Sequence, residues 1–124
     1  MHIILAVREA ELMEVLWRLG PSTVAEVREE LTDNLAYTTV LTILRNLEEK
    51  GYVRHQTEGR AHRYGPVIAR DAARNSALKD LAAKFFGGSI ELLMTHLVSD
   101  EKLGDKEIER IRKLLNQSPQ KGRR

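Results

Sequence analysis

The chain contains no cysteine. Disulfides, thiolate metal sites, cysteine nucleophiles and thiol redox sensing are therefore excluded for its 124 residues. Its four histidines, His2, His55, His62 and His96, form no i, i+4 pair and have no acidic ligand pattern nearby. No zinc, and no other metal or cofactor, is expected. No apolar run approaches membrane-spanning length, and the apolar opening Met1–Val7 is too short for a secretory signal. The expectation is a cytoplasmic protein with no membrane association. A Gly-rich phosphate loop is missing, as is a nucleophile–base pair in recognisable context, so no catalytic residue is expected. Internal repeats and low-complexity stretches are also lacking.

What is present is a chain long enough for one small domain plus an extension, with 42% apolar residues. The formal charge of +2 does not by itself announce nucleic acid. Its distribution is more informative. Up to Arg54 acids outnumber bases, then Arg54, His55, Arg60, His62 and Arg63 gather around a single acid, Glu58. The end of the chain, Lys121–Arg124, is a basic tail expected to fray.

Apolar spacing predicts a first helix over Glu9–Leu19, with a stripe of Leu12, Val15, Leu16 and Leu19 widened by Met13 and Trp17. Gly20-Pro21 stops it. Thr23 with Glu26 fits a capping box that opens a second helix, burying Val24, Val27 and Leu31. Thr32-Asp33-Asn34 reads as a turn. Tyr37–Lys50 reads as a third helix closed by Gly51. A short strand Tyr52–Gln56, a turn Thr57-Glu58-Gly59 and a return strand Arg60–Gly65 follow, ended by Pro66. Three short helices and a basic hairpin make a winged helix-turn-helix. The predicted class is mainly α with a small β-hairpin: an N-terminal DNA-binding domain over residues 1–66 and a helical dimerisation region over 67–124.

The third helix divides into two faces. Val40, Ile43, Leu44 and Leu47 recur at helical spacing and face a core. Thr38, Thr42, Arg45 and Glu49 fall opposite, flanked by Thr39, Asn46 and Lys50. Threonine is a poor surface helix former. It suits a DNA groove, where its hydroxyl meets phosphates or base edges and its methyl meets thymine. Tyr37, Thr38, Thr39, Thr42, Arg45 and Asn46 are the candidate DNA contacts here. Arg45 has two readings, a base or phosphate contact and an i, i+4 pair with Glu49. Leu41, between the stripes, is assigned to packing on helix two, with a thymine contact as the other reading.

On the hairpin, Arg54, Arg60 and Arg63 are candidates for phosphates, with Arg60 and His62 favoured. Alternation puts Arg60, His62 and Tyr64 on one face and Ala61 and Arg63 on the other, and Tyr64 is assigned to packing.

Beyond Pro66, helices are predicted over Arg70–Phe86, Ile90–Val98 and Asp105–Asn116. Leu78, Leu81, Phe85, Leu92, Leu93, Leu97, Ile108, Ile111 and Leu115 give them more apolar surface than a lone extension can hide. A twofold partner supplying the other half of a core is the economical solution, and a ligand pocket the alternative.

These residues resemble a known family. Leu5-Ala-Val-Arg-Glu-Ala-Glu-Leu-Met-Glu-Val-Leu-Trp17, Val24-Ala-Glu-Val27 and Leu35-Ala-Tyr-Thr-Thr-Val-Leu-Thr-Ile-Leu-Arg-Asn-Leu47 are similar to the opening, second helix and recognition helix of the BlaI/MecI/CopY penicillinase-type repressors. Lys50-Gly-Tyr-Val53 and Gly59-Arg-Ala-His-Arg-Tyr-Gly-Pro66 resemble the family's wing. The resemblance spans about residues 5–116 and implies a homodimeric repressor bound to an inverted-repeat double-stranded DNA operator. In antibiotic-resistance members a protease triggers cleavage in the C-terminal region. That region would fall near His96 and Leu97, where the family's Asn-Phe pair is absent. Copper-responsive members use C-terminal cysteines, which this chain lacks. Ala6 stands where the family usually places a Ser or Thr cap, so an easily frayed first helix is expected.

The competing reading is a winged-helix protein-interaction module that does not bind DNA. The acids on the first two helices are its basis.

Overall fold

The computed structural model describes residues 2–99 and 103–117. The elements run α1 (Val7–Leu19), β1 (Ser22–Thr23), α2 (Val24–Glu30), α3 (Tyr37–Glu49), β2 (Val53–Glu58), β3 (Ala61–Pro66), α4 (Arg70–Phe85), α5 (Ile90–Ser99) and α6 (Asp105–Gln117). The basic tail Lys121–Arg124 lies outside the described residues. Among the described residues no single helix is long and apolar enough to cross a membrane. The chain divides into two compact units, Met1–Ala77 and Leu78–Arg124.

The first unit is three helices against a three-stranded antiparallel sheet ordered β1-β3-β2. Its core takes Leu12, Met13 and Leu16 from α1, Val24 and Val27 from α2, Val40, Leu44 and Leu47 from α3, and Tyr52, Val53 and Tyr64 from the sheet region. Each large apolar side chain so buried contributes about 1.5–3 kcal/mol. Leu41 and Ile43 pack against this core half-buried. Leu19, expected in the α1 stripe, is exposed, because α1 ends beneath it at Gly20.

The unit runs past Pro66 because the chain beyond it is stitched back. Ile68 and Ala73 join the core. The Trp17 indole Nε1 donates to the Ile68 carbonyl at 2.9 Å, and Arg70 lies over the Trp17 ring while pairing with Glu14. Trp17 therefore sits half-buried at the core edge. The apolar opening is fastened in the same way. Ile3 is buried, its amide donates to the Ser76 hydroxyl at 2.9 Å, and that hydroxyl donates to the Ile3 carbonyl at 3.1 Å. The Ile4 amide donates to the Tyr52 hydroxyl.

α1 starts at Val7, two residues before the expected Glu9. Ala6 has no hydroxyl to cap it. The Glu9 carboxylate accepts from the Ala6 amide at 2.8 Å, half of a capping box. Glu9 also receives Lys50 Nζ on both oxygens, which ties the start of α1 to the end of α3. At α2 both halves of the Thr23–Glu26 capping box form.

α3 ends in a Schellman motif: Gly51 N–H donates to the Glu48 carbonyl and Tyr52 N–H to the Leu47 carbonyl. Gly51 takes φ +85°, which a side chain would strain. The motif turns the chain directly from α3 into β2. The hairpin differs from expectation in register. Glu58 pairs with Ala61, leaving Gly59 and Arg60 as a two-residue turn with Gly59 at φ +62°. The first strand runs on to Glu58, the return strand is shifted by one residue to Ala61–Pro66, and Arg60 stands at the tip rather than in the return strand.

Candidate DNA-binding surface

The buried stripe of α3 fixes which residues face out. With Val40, Leu44 and Leu47 fully buried, the opposite side presents Tyr37, Thr38, Thr39, Thr42, Arg45 and Asn46, all exposed. A shallow depression on that face is lined by Thr42, Arg45, Asn46, Glu48 and Glu49. The Thr42 hydroxyl donates to the Thr38 carbonyl at 2.9 Å, which leaves its methyl and its oxygen lone pairs outward. The start of α3 is braced from α2 and α1. Arg28 Nε donates to the Leu35 carbonyl at 2.7 Å, and Arg8 pairs with Asp33.

Arg45 forms no ion pair with Glu49 among the described residues. It lies instead near Tyr64, the buried phenol of β3, which is 2% exposed. Burial and the Glu48 charge push that phenol's pKa up, and the charge of Arg45 and its hydrogen bond pull the other way.

The two faces of the wing have separate partners. Val53, His55, Thr57, His62, Tyr64 and Pro66 share the face toward α3, by strand alternation and register. There the Glu48 carboxylate accepts the His55 amide at 3.0 Å and lies 2.7 Å from His55 Nδ1. The His62 ring stacks on the His55 ring, centroids 4.3 Å apart and planes 16° from parallel. His62 is exposed. Arg54, Gln56, Glu58, Ala61 and Arg63 occupy the other face.

Arg63, a candidate DNA contact, is engaged within the fold. It is half-buried, with Nη1 3.0 Å from Glu26 and 3.3 Å from the Pro21 carbonyl, and Nε 2.8 Å from Glu58. Glu26 is thus shared between the α2 capping box and the wing. Its carboxyl is held below its ordinary pKa, chiefly by the Thr23 amide and with help from Arg63, against the opposing effect of burial. The reason is geometric: Arg63 lies on the face of the hairpin toward Pro21 and the start of α2, while His62 lies on the opposite face. Arg63 braces the wing from behind.

Sequence reasoning missed Glu26, Glu48 and Glu58 as wing supports. Glu26 is 37 residues from Arg63, and no local pattern marks that pairing. The Glu48–His55 contact, seven apart across a helix end, was open to inference once the Schellman turn was placed.

In the second unit, Phe85 is 71% and Leu115 64% exposed, and Leu78, Leu81, Leu92 and Leu97 are exposed as well. Ile108 and Ile111 are half-buried. Leu93 departs from its assignment to a partner surface: at 7% exposed it is already covered within the chain. Leu114, Ile90, Met94 and Val98 are exposed in addition. His96 and Leu97 lie on α5, with the His96 ring edge-on to Phe86 at 5.8 Å.

A family model described as the penicillinase repressor matches residues 5–117. The chain belongs to the penicillinase repressor family. It is 39% identical over 111 residues to the transcriptional regulator BlaI of Mycobacterium tuberculosis, covering 86% of this chain and 79% of that one. It is 25% identical over 111 residues to the penicillinase repressor of Bacillus licheniformis, covering 88% and 87%. The solution structure of the DNA-binding domain of the repressor BlaI matches with a TM-score of 0.51 and 32% identity, over 56% of this chain and 88% of that one. The Bacillus licheniformis BlaI monomeric form in complex with the blaP half-operator matches at TM-score 0.50 and 32% identity, over 57% and 89%. As a member of the penicillinase repressor family the chain has a winged helix-turn-helix in its first unit.

Proposed function

We propose that this chain is a dimeric, sequence-specific transcriptional repressor of the cytoplasm. α3 enters the DNA major groove, and the wing tip with Arg60 and His62 meets the flanking backbone. The observation that carries the reading is the exposed hydroxyl and amide face of α3, held outward by the buried stripe behind it. A helix of 13 residues spans about 20 Å, enough to lie across a groove. The relative solved in complex with a half-operator supports DNA binding by this unit. No catalytic residue, metal or cofactor is part of the reading.

The second unit serves as the dimer contact in this reading. Its exposed leucines and Phe85 exceed what an isolated helical extension leaves in water. Two copies related by a twofold axis would set their α3 helices about 34 Å apart, one turn of duplex. Induction by cleavage near His96 and Leu97 is not part of the proposal. Both residues lie inside α5, and a protease would have to unwind it first.

The protein-interaction alternative is weakened. Five of the six acids of α1 and α2 pair within the fold, Glu9 with Lys50, Glu11 with Arg8, Glu14 with Arg70, Glu26 with Arg63 and Glu30 with Arg18, while Glu29 is exposed. Sedimentation with and without inverted-repeat duplexes, at two salt concentrations, tests the proposal. A dimer whose affinity falls steeply with salt and differs between sequences supports it. A monomer indifferent to sequence and salt overturns it.

A further inference from the structure

The stacked pair His55 and His62 sits where the wing meets α3. Resting on the DNA-binding reading above, we infer that the wing is a proton-linked contact: His62 takes up a proton as it meets a DNA phosphate, with Glu48 and His55 holding its ring in place.

Three observations carry this. The rings lie nearly parallel at 4.3 Å, so two positive charges there would repel strongly. The Glu48 carboxylate sits against His55 Nδ1 at 2.7 Å and balances one such charge, not two. His62 is exposed and makes no hydrogen bond among the described residues, so its ring nitrogens are open to a ligand. An incoming phosphate supplies the second negative charge. It would balance a proton on the His62 ring beside His55. The ordinary histidine range places the test near neutral pH.

The surrounding groups set the sign. From α3, Glu48 contributes negative charge and Arg45 positive charge; Glu49 is exposed beside them and Tyr37 acts through Tyr64. From β3 comes the buried Tyr64 phenol, tilted against both histidines. From the turn comes the Arg60 cation, at the exposed tip. Glu58 and Arg63 lie on the opposite face and neutralise each other. The cluster thus carries one close carboxylate, already in contact with His55. By linkage, a group that is more protonated in the complex makes binding tighten as pH falls, by at most about tenfold per pH unit for one proton.

The test is calorimetric titration of the full chain with a short duplex selected from a randomised pool, near neutral pH, in two buffers of different ionisation enthalpy. Uptake approaching about one proton per subunit, lost in His62→Gln, is the expected result. A parallel affinity series should show the wild type tightening as pH falls and His62→Gln nearly flat. The wild-type buffer comparison does not depend on the variant folding, which circular dichroism checks separately. Binding without proton uptake, or uptake that persists in His62→Gln, overturns the inference and leaves the DNA-binding reading intact. Absence of binding in either buffer overturns both.

Discussion

Glu48, on the last turn of α3, holds His55 of β2 by both its amide and its ring, at 3.0 and 2.7 Å. One carboxylate so couples the recognition helix to the wing. Burial pushes the Glu48 pKa up, but the ring and backbone hydrogen bonds of His55 and the nearby histidine charges outweigh it. The net result lies below the ordinary 4.5. A carboxyl lowered in the native state stabilises the fold above its ordinary pKa. That contribution is lost as pH falls through the lowered native value. Glu48→Gln should therefore lose about 1 kcal/mol or less at neutral pH, since the pair is partly exposed. Urea melts at successively lower pH should show the difference from wild type shrinking. A gap that stays constant would contradict the assignment.

Arg60 and Arg63 should behave differently although both are wing arginines. With Arg60 on a phosphate, as proposed, Arg60→Ala should reduce the salt slope of binding by about 0.9. Arg63→Ala removes a brace to Glu26, Glu58 and Pro21 and should weaken binding with the slope nearly unchanged. Anisotropy titrations over a salt series separate the two. Equal slope changes would return Arg63 to the DNA surface.

That contrast shows what the sequence could and could not carry. The stripe of Val40, Leu44 and Leu47 was legible because a helix repeats every 3.6 residues. The Thr23–Glu26 box and the Gly51 stop were legible because they are local. β1, at two residues, is too short to show a period. The hairpin register slipped because Glu58 reads as a turn residue, yet it pairs with Ala61 and anchors Arg63. Ser76 gave no sign that it closes on Ile3, 73 residues away. Leu93 shares the periodicity of its exposed neighbours, and spacing does not tell which side of a short helix its own chain covers.

The Ile3–Ser76 link should matter to the fold. Ser76→Ala leaves the buried Ile3 amide and carbonyl without that partner, at a cost of about 1–3 kcal/mol. Trp17 fluorescence during thermal unfolding reads the loss. An unchanged melting temperature would show that the N-terminal segment contributes little.

Phe85→Glu combined with Leu115→Glu places charges on the exposed apolar face of the second unit. Sedimentation equilibrium should show a monomer whose first unit keeps its Trp17 signal. A dimer that survives both changes would move the subunit contact elsewhere.

Replacing Thr38, Thr39 and Thr42 together by Ala tests the central claim most directly. Alanine is the better helix former, so α3 should persist by circular dichroism. Anisotropy should show affinity for the selected duplex falling by at least about tenfold, towards that for random duplex, because lost base contacts cost about 1–3 kcal/mol each. A triple variant that binds the selected duplex as tightly and as selectively as wild type would contradict the claim that this face of α3 reads DNA.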